Sequence, residues 1–320
     1  RRLILREGLK TPSSVSEVVL MKKIDRNRLM DHIQGYSYIA PAALILGIFV
    51  YISVFVAVYM SFHEVNLFKW TFDFTGFGNY KRIFSEDRIF RAFSNTIRFV
   101  LVVAPVQTVL ALVIAAVLNS RIRGQKAFRI VYFLPTLTSS TALTMIFMFI
   151  FSINGPFNTI ASSLGLIGET KNWLNESKVA LNIIMAMNIW STVPYYMTIY
   201  LSALQDVPQS LYEAAEMDGA NAFRRFMNIT VPHMRPITTF VFITGIIGTF
   251  QMFDQAYIFS NGTGGPQNST LTVALMVYQY AFSLLNDMGL ASAVAIVLAI
   301  AIILASLLAN KLNKSEKLYS

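Results

Sequence analysis

Six long apolar runs constrain the fold of this sequence more than any other feature. A helix needs about 20 apolar residues to cross the hydrocarbon layer of a membrane. Six stretches meet that requirement, and they lie at residues 38–62, 96–118, 130–151, 179–204, 237–259 and 288–309. The sequence therefore predicts an all-α fold, a polytopic membrane bundle of six transmembrane helices.

The composition agrees with a chain that lies in a lipid bilayer. Of the 320 residues, 55% are hydrophobic and 13% are charged, whereas typical soluble domains have roughly 45–50% and about 25%. The net charge of +9 is also found in nucleic-acid-binding proteins, but these basic residues bracket the apolar runs and form no single binding face. We therefore expect no nucleic acid as a partner. The sequence has no Cys, which excludes disulfides and thiolate metal sites.

The distribution of Lys and Arg predicts the orientation. Most basic residues outside the runs lie before the first run, after the second and fourth runs, and in the tail. The positive-inside tendency then puts both termini in the cytoplasm. We expect a cytoplasmic or interfacial extension at 1–37, a six-span domain at 38–309 and a cytoplasmic tail at 310–320. The first run is too long for a signal-peptide core, so we expect it to be a retained anchor.

A polar segment, "YEAAEMDGANAFRRFMNITVP", interrupts the apolar sequence in the second cytoplasmic loop. It predicts a helix over residues 209–217, because Pro208 suits a first helical turn. Gly219 is a natural left-handed stop. Asn221 is a suitable N-cap for a second helix, which we expect to end near Ile229 because Pro232 prevents its extension into the next span. The result would be two short helices set at an angle.

The residues of this segment allow two interpretations. Small side chains on the first helix, such as Ala214 and Ala215, would let a groove of another protein close over it, with Glu213 and Asp218 at the polar edges. An ordinary interfacial hairpin explains the same pattern, and the physical argument alone favours it.

The motif Glu213-Ala214-Ala215, followed by Gly219 and then by Ile229-x-Val231-Pro232, resembles the EAA loop of permease subunits from bacterial binding-protein-dependent ATP-binding cassette (ABC) importers. Val231 departs from it, since that position usually holds Leu. Four other segments resemble the carbohydrate branch of this family, the maltose-type F subunit and its glycerol-phosphate and alginate relatives. They are "FTGFGNYKRIF", "NTIRFVLVVAPVQTVLALVIAAVLN", "FRIVYFLP" and "NGTGGPQNSTLTVALMVYQYAF".

The resemblance implies a type I ABC importer permease fold in a bacterial inner membrane. It also implies partners: a second homologous permease, two ATPase subunits, a periplasmic substrate-binding protein and a carbohydrate substrate. The polar segment would be the coupling helix that contacts the ATPase, through Glu213, Ala214, Ala215, Asp218, Gly219 and Ala220. The sequence has no G-x-x-x-x-G-K-[ST] motif, so we expect a chain that is not an enzyme and has no cofactor of its own, with ATP and Mg bound by the ATPase.

Polar and aromatic residues inside the fourth and fifth spans predict a substrate pathway. Polar groups within a membrane tend to face a watery cavity or another helix, and aromatic rings with amides and hydroxyls suit sugars. The candidates are Tyr195, Thr192, Trp190, Asn188, Gly245, Thr249, Gln251, Met252 and Asp254. The resemblance places five of them, Tyr195, Thr192, Gly245, Thr249 and Met252, where the maltose relative contacts sugar. Hydrogen bonding between helices is the alternative for each.

Several substrates and one other class of transporter stay open. Glycerol-phosphate would need cations in the cavity, and Arg98 is the one basic residue inside a span. An acidic oligosaccharide such as alginate could be held by the external basic residues Lys81, Arg82, Arg88 and Arg91. An ion-coupled secondary transporter would carry buried acids, and the acid deep enough to consider is Asp254. A membrane enzyme is disfavoured, because the three histidines are scattered and no catalytic motif is present.

Overall fold

The computed structural model describes residues 15–66, 70–120, 125–283 and 286–314. The first 14 residues of the expected extension and the last six of the expected tail therefore lie outside the described residues. The chain divides into two compact units, residues 1–57 and 58–320.

The first unit is helical wherever it is described. Helix α1 (Val15–Leu46) continues through a π-helical stretch (Gly47–Ile52) into α2 (Ser53–Ser61), whose last residues belong to the second unit. The stretch His32–Ser61 is long and apolar enough to cross a membrane. The helix passes the expected boundary at residues 37 and 38 without a break.

The second unit is a set of helices with one short hairpin. Strands β1 (His63–Asn66) and β2 (Thr71–Phe74) pair antiparallel, with His63 opposite Phe74. The helices are α3 (Gly78–Ser85), α4 (Asp87–Asn119), α5 (Gln125–Leu137), α6 (Ser140–Ile150), α7 (Pro156–Ser163), α8 (Ala180–Leu204), α9 (Gln209–Met217), α10 (Ala222–Arg225), α11 (Val231–Phe250), α12 (Asp254–Phe259), α13 (Val273–Phe282) and α14 (Met288–Lys314).

The core of this unit forms where α4 packs against α8 and α11. Ala104, Thr108, Ala111 and Ala115 are buried on one face of α4, at the spacing that places residues on one side of a helix. Small residues let helix backbones approach closely in membrane proteins. A second packing layer joins α14 to α11 and α13.

The six predicted spans all correspond to helical segments, and the all-α fold is confirmed. Within the described ranges, four helical stretches are long and apolar enough to cross a membrane, and a bent pair brings the number to five when it is counted as one span. That pair is Ile130–Leu137 and Ser140–Ile150, which meet at 106°. Ser139 caps the second helix by accepting a hydrogen bond from Ala142 N at 3.2 Å, so the chain turns sharply where one straight span was expected.

The fourth predicted span, α8, has 25 residues and therefore the length to cross, but it is not among the stretches apolar enough to qualify. Its polar side chains, Asn182, Asn188 and Thr192 among them, lower its hydropathy. Such residues are tolerated in a membrane helix that packs against protein, as α8 does against α4.

The expectation that Pro232 separates the second short helix from the fifth span is wrong. Helix α10 continues through a π-helical stretch (Phe226–Thr230) into α11 without a break. In this stretch Val231 N donates to the carbonyl of Phe226, five residues back. The wider turn moves the preceding carbonyls away from the proline ring, which would clash with the residue four positions earlier in an ordinary α-helix.

Candidate functional site

The polar segment between the fourth and fifth predicted spans forms the expected pair of short helices. Helix α9 ends at Met217, and Gly219 has a φ of +77°. The amide of Ala220 donates to Ala215 O at 2.9 Å, and that of Gly219 donates to Glu216 O at 3.0 Å. These two bonds close the left-handed turn that follows many helices. The prediction for Gly219 is therefore confirmed.

Asn221 begins the second helix as predicted. Its side-chain oxygen accepts a hydrogen bond from Arg224 N at 2.8 Å, which satisfies one of the free amides at a helix start. We call residues 209–230 the coupling hairpin, after the role that the resemblance implies.

Two side-chain contacts join the two halves of the coupling hairpin. Arg225 Nη1 lies 2.7 Å from Glu216 Oε2, and the hydroxyls of Tyr212 and Thr230 are 3.0 Å apart. Both contacts cross from α9 to the helix that follows the turn. They hold the angle between the two halves, a function that the sequence pattern did not indicate.

The predicted contact residues lie on the surface of the hairpin. Glu213, Ala214, Asp218 and Gly219 are exposed, while Ala215 and Ala220 are half-buried. Two apolar side chains that sequence reasoning missed lie beside them, since Met217 is 88% exposed and Phe223 is 71% exposed. Large apolar residues in a polar loop were the available signal.

A polar cavity lies at the other end of α11. The fifth predicted span is interrupted there, because α11 ends at Phe250 and α12 begins at Asp254. The cavity has a volume of about 180 Å³, and its lining residues are Ser140, Asn188, Gly248, Gln251, Met252, Phe253, Asp254 and Gln255. The structure thus brings together four of the nine predicted pathway residues, Asn188, Gln251, Met252 and Asp254.

Asn188, which lines this cavity, has a buried side-chain acceptor without a partner. Its Nδ2 donates to Gln255 Oε1 at 2.9 Å, whereas its Oδ1 is buried and has no partner within the described part of the chain. A buried acceptor without a partner costs free energy. A rearrangement that exposed Asn188 Oδ1 to a ligand hydroxyl would remove that cost. Sequence reasoning missed Gln255 and Ser140, which reach the cavity from beyond the break and from α6.

Three other predicted residues serve contacts between or within helices. Thr192 donates to Gln107 Oε1 at 2.7 Å, and a Cβ on Gly245 would lie 2.6 Å from Gln107 Nε2. Gln107 is 1% exposed, so α4, α8 and α11 meet at this amide. Thr249 donates to Gly245 O at 2.8 Å within its own helix. A lone Gln in an apolar span was the sequence signal for this meeting point.

The two predicted aromatic residues of α8 are exposed and do not line the cavity. Tyr195 is 55% exposed and its ring packs edge-on against Tyr196, with ring centres 5.3 Å apart. Trp190 is 46% exposed, and its ring centre lies 5.7 Å from that of Phe147. Helix α8 passes through Pro194 without a break.

Two of the four external basic residues are engaged within the chain. Arg82 lies 2.6 Å from Asp287 and 3.3 Å from Glu86. Burial alone would lower the pKa of Arg82, but the hydrogen bonds and charges of those two carboxylates outweigh it and raise that pKa. Arg88 donates to Gln279 Oε1.

The remaining basic candidates differ in their surroundings. Lys81 and Arg91 are exposed. Arg98, the cation within a span, donates to Asn182 Oδ1 at 3.0 Å. None of these residues lines the polar cavity. In the described ranges, no group of three or more His, Cys, Asp or Glu side chains could hold a metal ion.

The chain is similar to several transport proteins along most of its length. It is 34% identical over 277 residues to the lactose transport system permease protein of Rhizobium radiobacter, covering 86% of this chain and 92% of that one. It is 33% identical over 288 residues to an arabinooligosaccharides transport system permease protein of Bacillus subtilis, covering 88% and 89%. It is 32% identical over 264 residues to a trehalose/maltose transport system permease protein of Thermococcus litoralis, covering 82% and 87%.

The fold matches solved structures too. A chain of a bacterial ABC transporter involved in the import of the acidic polysaccharide alginate has a TM-score of 0.73 and 20% identity, covering 92% of this chain and 98% of that one. Alginate ABC transporter in complex with an alginate pentasaccharide-bound periplasmic protein gives a TM-score of 0.75 at the same identity. At this identity the likeness shows the type I permease fold.

A family model spans the region that contains both the hairpin and the cavity. The model described as "Binding-protein-dependent transport system inner membrane component" matches residues 107–317, which is more than half of the chain. The chain therefore belongs to the family of binding-protein-dependent transport system inner membrane components.

Proposed function

We propose that this chain is the transmembrane subunit of an ATP-driven ABC importer and forms part of the translocation pathway for an oligosaccharide. A periplasmic binding protein delivers the sugar, and a separate ATPase supplies the energy through the coupling hairpin. The observation that carries the proposal is the EAA motif, with Glu213 and Ala214 exposed beside a left-handed turn at Gly219, in a chain whose relatives are named for sugars.

The continuity of the helix after the hairpin supports a mechanical coupling. Residues 222–250 form one helical stretch through α10, the π-helical stretch and α11, about 43 Å long at roughly 1.5 Å per residue. One end carries the hairpin and the other ends at the cavity. Closure of an ATPase pair on ATP would displace the hairpin, and an unbroken helix would carry that displacement to the cavity as a rigid-body motion.

Other subunits complete this mechanism. A single coupling hairpin can engage one ATPase subunit, so we propose a second homologous permease and two ATPase subunits. The chain itself performs no catalysis, and ATP and Mg are bound by the ATPase. Both termini would lie in the cytoplasm of a bacterium, on the same side of the inner membrane as the hairpin.

The charges around the cavity favour a neutral sugar over the two anionic alternatives. The cavity is lined by the carboxylate Asp254 and by no Lys or Arg. Arg82 and Arg88 are already engaged by other side chains of the chain. An acidic oligosaccharide or glycerol-phosphate would need cations from the exposed Lys81 and Arg91 or from another subunit, because a like charge repels an anion.

The exposure of the acidic side chains argues against ion coupling. Ion-coupled transporters place acidic groups inside the membrane. Among the Asp and Glu side chains whose burial the structure describes, none is buried, and Asp254 is exposed. The ion-coupled transporter is thus the less favoured alternative, and the uptake assay tests it directly.

Uptake by the assembled complex tests the proposal. The chain, its partner permease and its ATPase are reconstituted in proteoliposomes with the binding protein, and uptake of labelled lactose, trehalose, maltotriose and arabinotriose is measured. We expect uptake of at least one of these sugars with ATP, none with a non-hydrolysable ATP analogue, and no loss when ionophores collapse the ion gradients. Uptake that needs an ion gradient and no ATP would refute the importer, and uptake of glycerol-3-phosphate alone would select that alternative.

A further inference from the structure

Four aromatic rings form a continuous strip at the end of the fifth span. Phe253 and Tyr257 are four residues apart at the start of α12, and Tyr278 and Phe282 are four residues apart on α13, so each pair shares a helix face. The ring centres of neighbours along the strip lie 5.3 Å (Phe253 and Tyr278), 5.3 Å (Tyr257 and Tyr278) and 5.5 Å (Tyr278 and Phe282) apart. We call these four residues the aromatic strip.

The aromatic strip lies at the surface and beyond the hydrophobic core. Tyr257 is 36% exposed and Phe282 is 70% exposed. Phe253 packs against the core, but Tyr257, Tyr278 and Phe282 do not. Core packing therefore does not explain three of the four rings. The strip follows α11, whose opposite end carries the coupling hairpin, so it faces the side of the membrane away from the ATPase.

The "NGTGGP" sequence after α12 builds the support for the strip. Gly262 has a φ of +76°, and a Cβ at this position would lie 2.9 Å from Cε2 of the Tyr257 ring. The amide of Gly262 donates to Tyr257 O at 2.7 Å, and its carbonyl accepts from Gln279 Nε2. One glycine thus permits the Tyr257 ring to lie flat on the backbone and joins that ring to α13.

The strip leads into the polar cavity. Phe253 belongs to both, since it lines the cavity beside Gln251 and Asp254. Asn188, Gln251 and Gln255 line the cavity, and side-chain amides of this kind hydrogen-bond hydroxyl groups. A surface of aromatic rings that continues into amides and a carboxylate suits a ligand with both apolar faces and hydroxyl groups. A sugar ring has both, because its C–H faces stack on aromatic rings while its hydroxyls hydrogen-bond.

We propose that the aromatic strip is an outer subsite on which a pyranose ring of a neutral oligosaccharide stacks before it enters the cavity. This inference rests on the proposed function, since it takes the chain to be a sugar permease. The strip holds a ring by its face, so it accepts sugars of different hydroxyl pattern, whereas the cavity selects by hydrogen bonds. Lipid headgroups, another subunit or the binding protein are the competing occupants.

A fluorine label in the strip tests contact directly. The complete complex, with 3-fluorotyrosine at position 278, is placed in lipid nanodiscs, and its ¹⁹F spectrum is recorded during titration with lactose, trehalose, maltotriose and arabinotriose. Sorbitol is the matched control, because it has hydroxyls but no ring. We expect a saturable shift with a transported sugar and none with sorbitol.

The uptake assay distinguishes a failure of the strip proposal from a failure of the proposed function. If the wild-type complex takes up a sugar of this panel and that sugar leaves the ¹⁹F resonance unmoved, the strip proposal is overturned and the proposed function stands. If the complex takes up none of the panel, the proposed function fails and the strip proposal fails with it. An equal shift with sorbitol also overturns the proposal.

Substitutions give an independent readout. Tyr278→Leu removes the ring at similar bulk, and Tyr278→Phe keeps it. We expect a rise of about two- to tenfold in the KM for uptake with Leu, the range that an aromatic contact supplies, and no change with Phe, with basal ATP hydrolysis unaltered in both. An unchanged KM for Tyr278→Leu overturns the proposal.

Should Tyr278→Leu prevent assembly, Phe282→Leu at the exposed end of the strip replaces it, with the same expected rise in KM. If the variant complex loses a subunit on purification and the ¹⁹F resonance of the labelled complex does not shift with sugar, the sugar subsite is overturned and the strip is identified as a contact surface for that subunit.

Discussion

Replacing Gly219 by Val should uncouple ATP hydrolysis from transport while the chain still inserts into the membrane. Gly219 has a φ of +77°, and a Cβ added there would meet no atom within 4 Å. The substitution therefore creates no clash, and its cost is that of the left-handed backbone, about 1–2 kcal/mol for a residue other than Gly. A β-branched side chain lies at the upper end of this range.

That cost is comparable with the contacts that hold the coupling hairpin. The ion pair between Glu216 and Arg225 has one partner that is 69% exposed, so it contributes at most about 1 kcal/mol. The hydroxyl contact between Tyr212 and Thr230 contributes about 1 kcal/mol. The backbone strain is thus large enough to offset most of what sets the angle between the two halves, and the EAA face should no longer present itself to the ATPase in one orientation.

The assay is ATP hydrolysis by the complete complex in proteoliposomes, with and without sugar-loaded binding protein, alongside sugar uptake. Gly165→Val is the matched control, because Gly165 also has a positive φ (+67°) and open space around it but lies in the loop between the third and fourth predicted spans. We expect Gly219→Val to lose most of the stimulation, Gly165→Val to keep it, and Gly219→Asn to keep part of it, since Asn tolerates this backbone. Full stimulation with Gly219→Val would refute the argument that this turn sets the coupling geometry.

Three further predictions concern the hairpin contacts, the pathway and the assembly. Arg225→Ala should lower stimulated ATP hydrolysis several-fold with little change in thermal stability. The double variant Glu216→Arg with Arg225→Glu, which exchanges the two charges, should restore the stimulated hydrolysis. If it does not, the pair does not set the hairpin angle. Tyr195 lies outside the polar cavity but its ring is exposed, so we expect it to meet sugar elsewhere along the pathway, and Tyr195→Ala should weaken substrate interaction by about 1–3 kcal/mol through lost stacking and one hydrogen bond. Uptake should fall with unaltered basal ATP hydrolysis, and uptake equal to wild type at all sugar concentrations would remove Tyr195 from the pathway. A complex of this permease and its ATPase without a second permease should not transport sugar, and transport by such a complex would contradict the pairing.

Local chemistry made the coupling hairpin predictable. The left-handed turn at Gly219 and the cap at Asn221 each depend on residues within five positions of each other, so the sequence contains everything they need. The positions of the spans were predictable for a similar reason, since the length and apolarity of a run decide whether it can cross a membrane.

Features that depend on distant residues were not predictable. Pro232 is a local helix breaker, and the π-helical turn that accommodates it leaves no signal in the composition of the segment. The external cations could be counted, yet Arg82 is paired with Asp287, 205 positions away, so their engagement within the chain could not be foreseen. The cavity was predicted in part, because four of its residues belong to apolar runs in which we looked for polar or sugar-contacting side chains. Gln255 was missed because it lies beyond the break between α11 and α12, and hydropathy averaged over the whole run does not reveal that break.

The error about Pro232 changes how motion can pass through the chain. Had the helix stopped at Pro232, a flexible joint would separate the coupling hairpin from the fifth span, and displacement of the hairpin would be absorbed there. Instead the helix is continuous to Phe250, and near that end Gly245 lies against Gln107, which also accepts a hydrogen bond from Thr192. This one amide of α4 accepts a hydrogen bond from α8 and packs closely against α11. Moving α8 away from α4 would break that hydrogen bond, and moving α11 would lose the close packing at Gly245. A displacement of the hairpin should therefore move α4, α8 and α11 as one body relative to α6, which lines the cavity through Ser140, and so change the cavity, as alternating access requires.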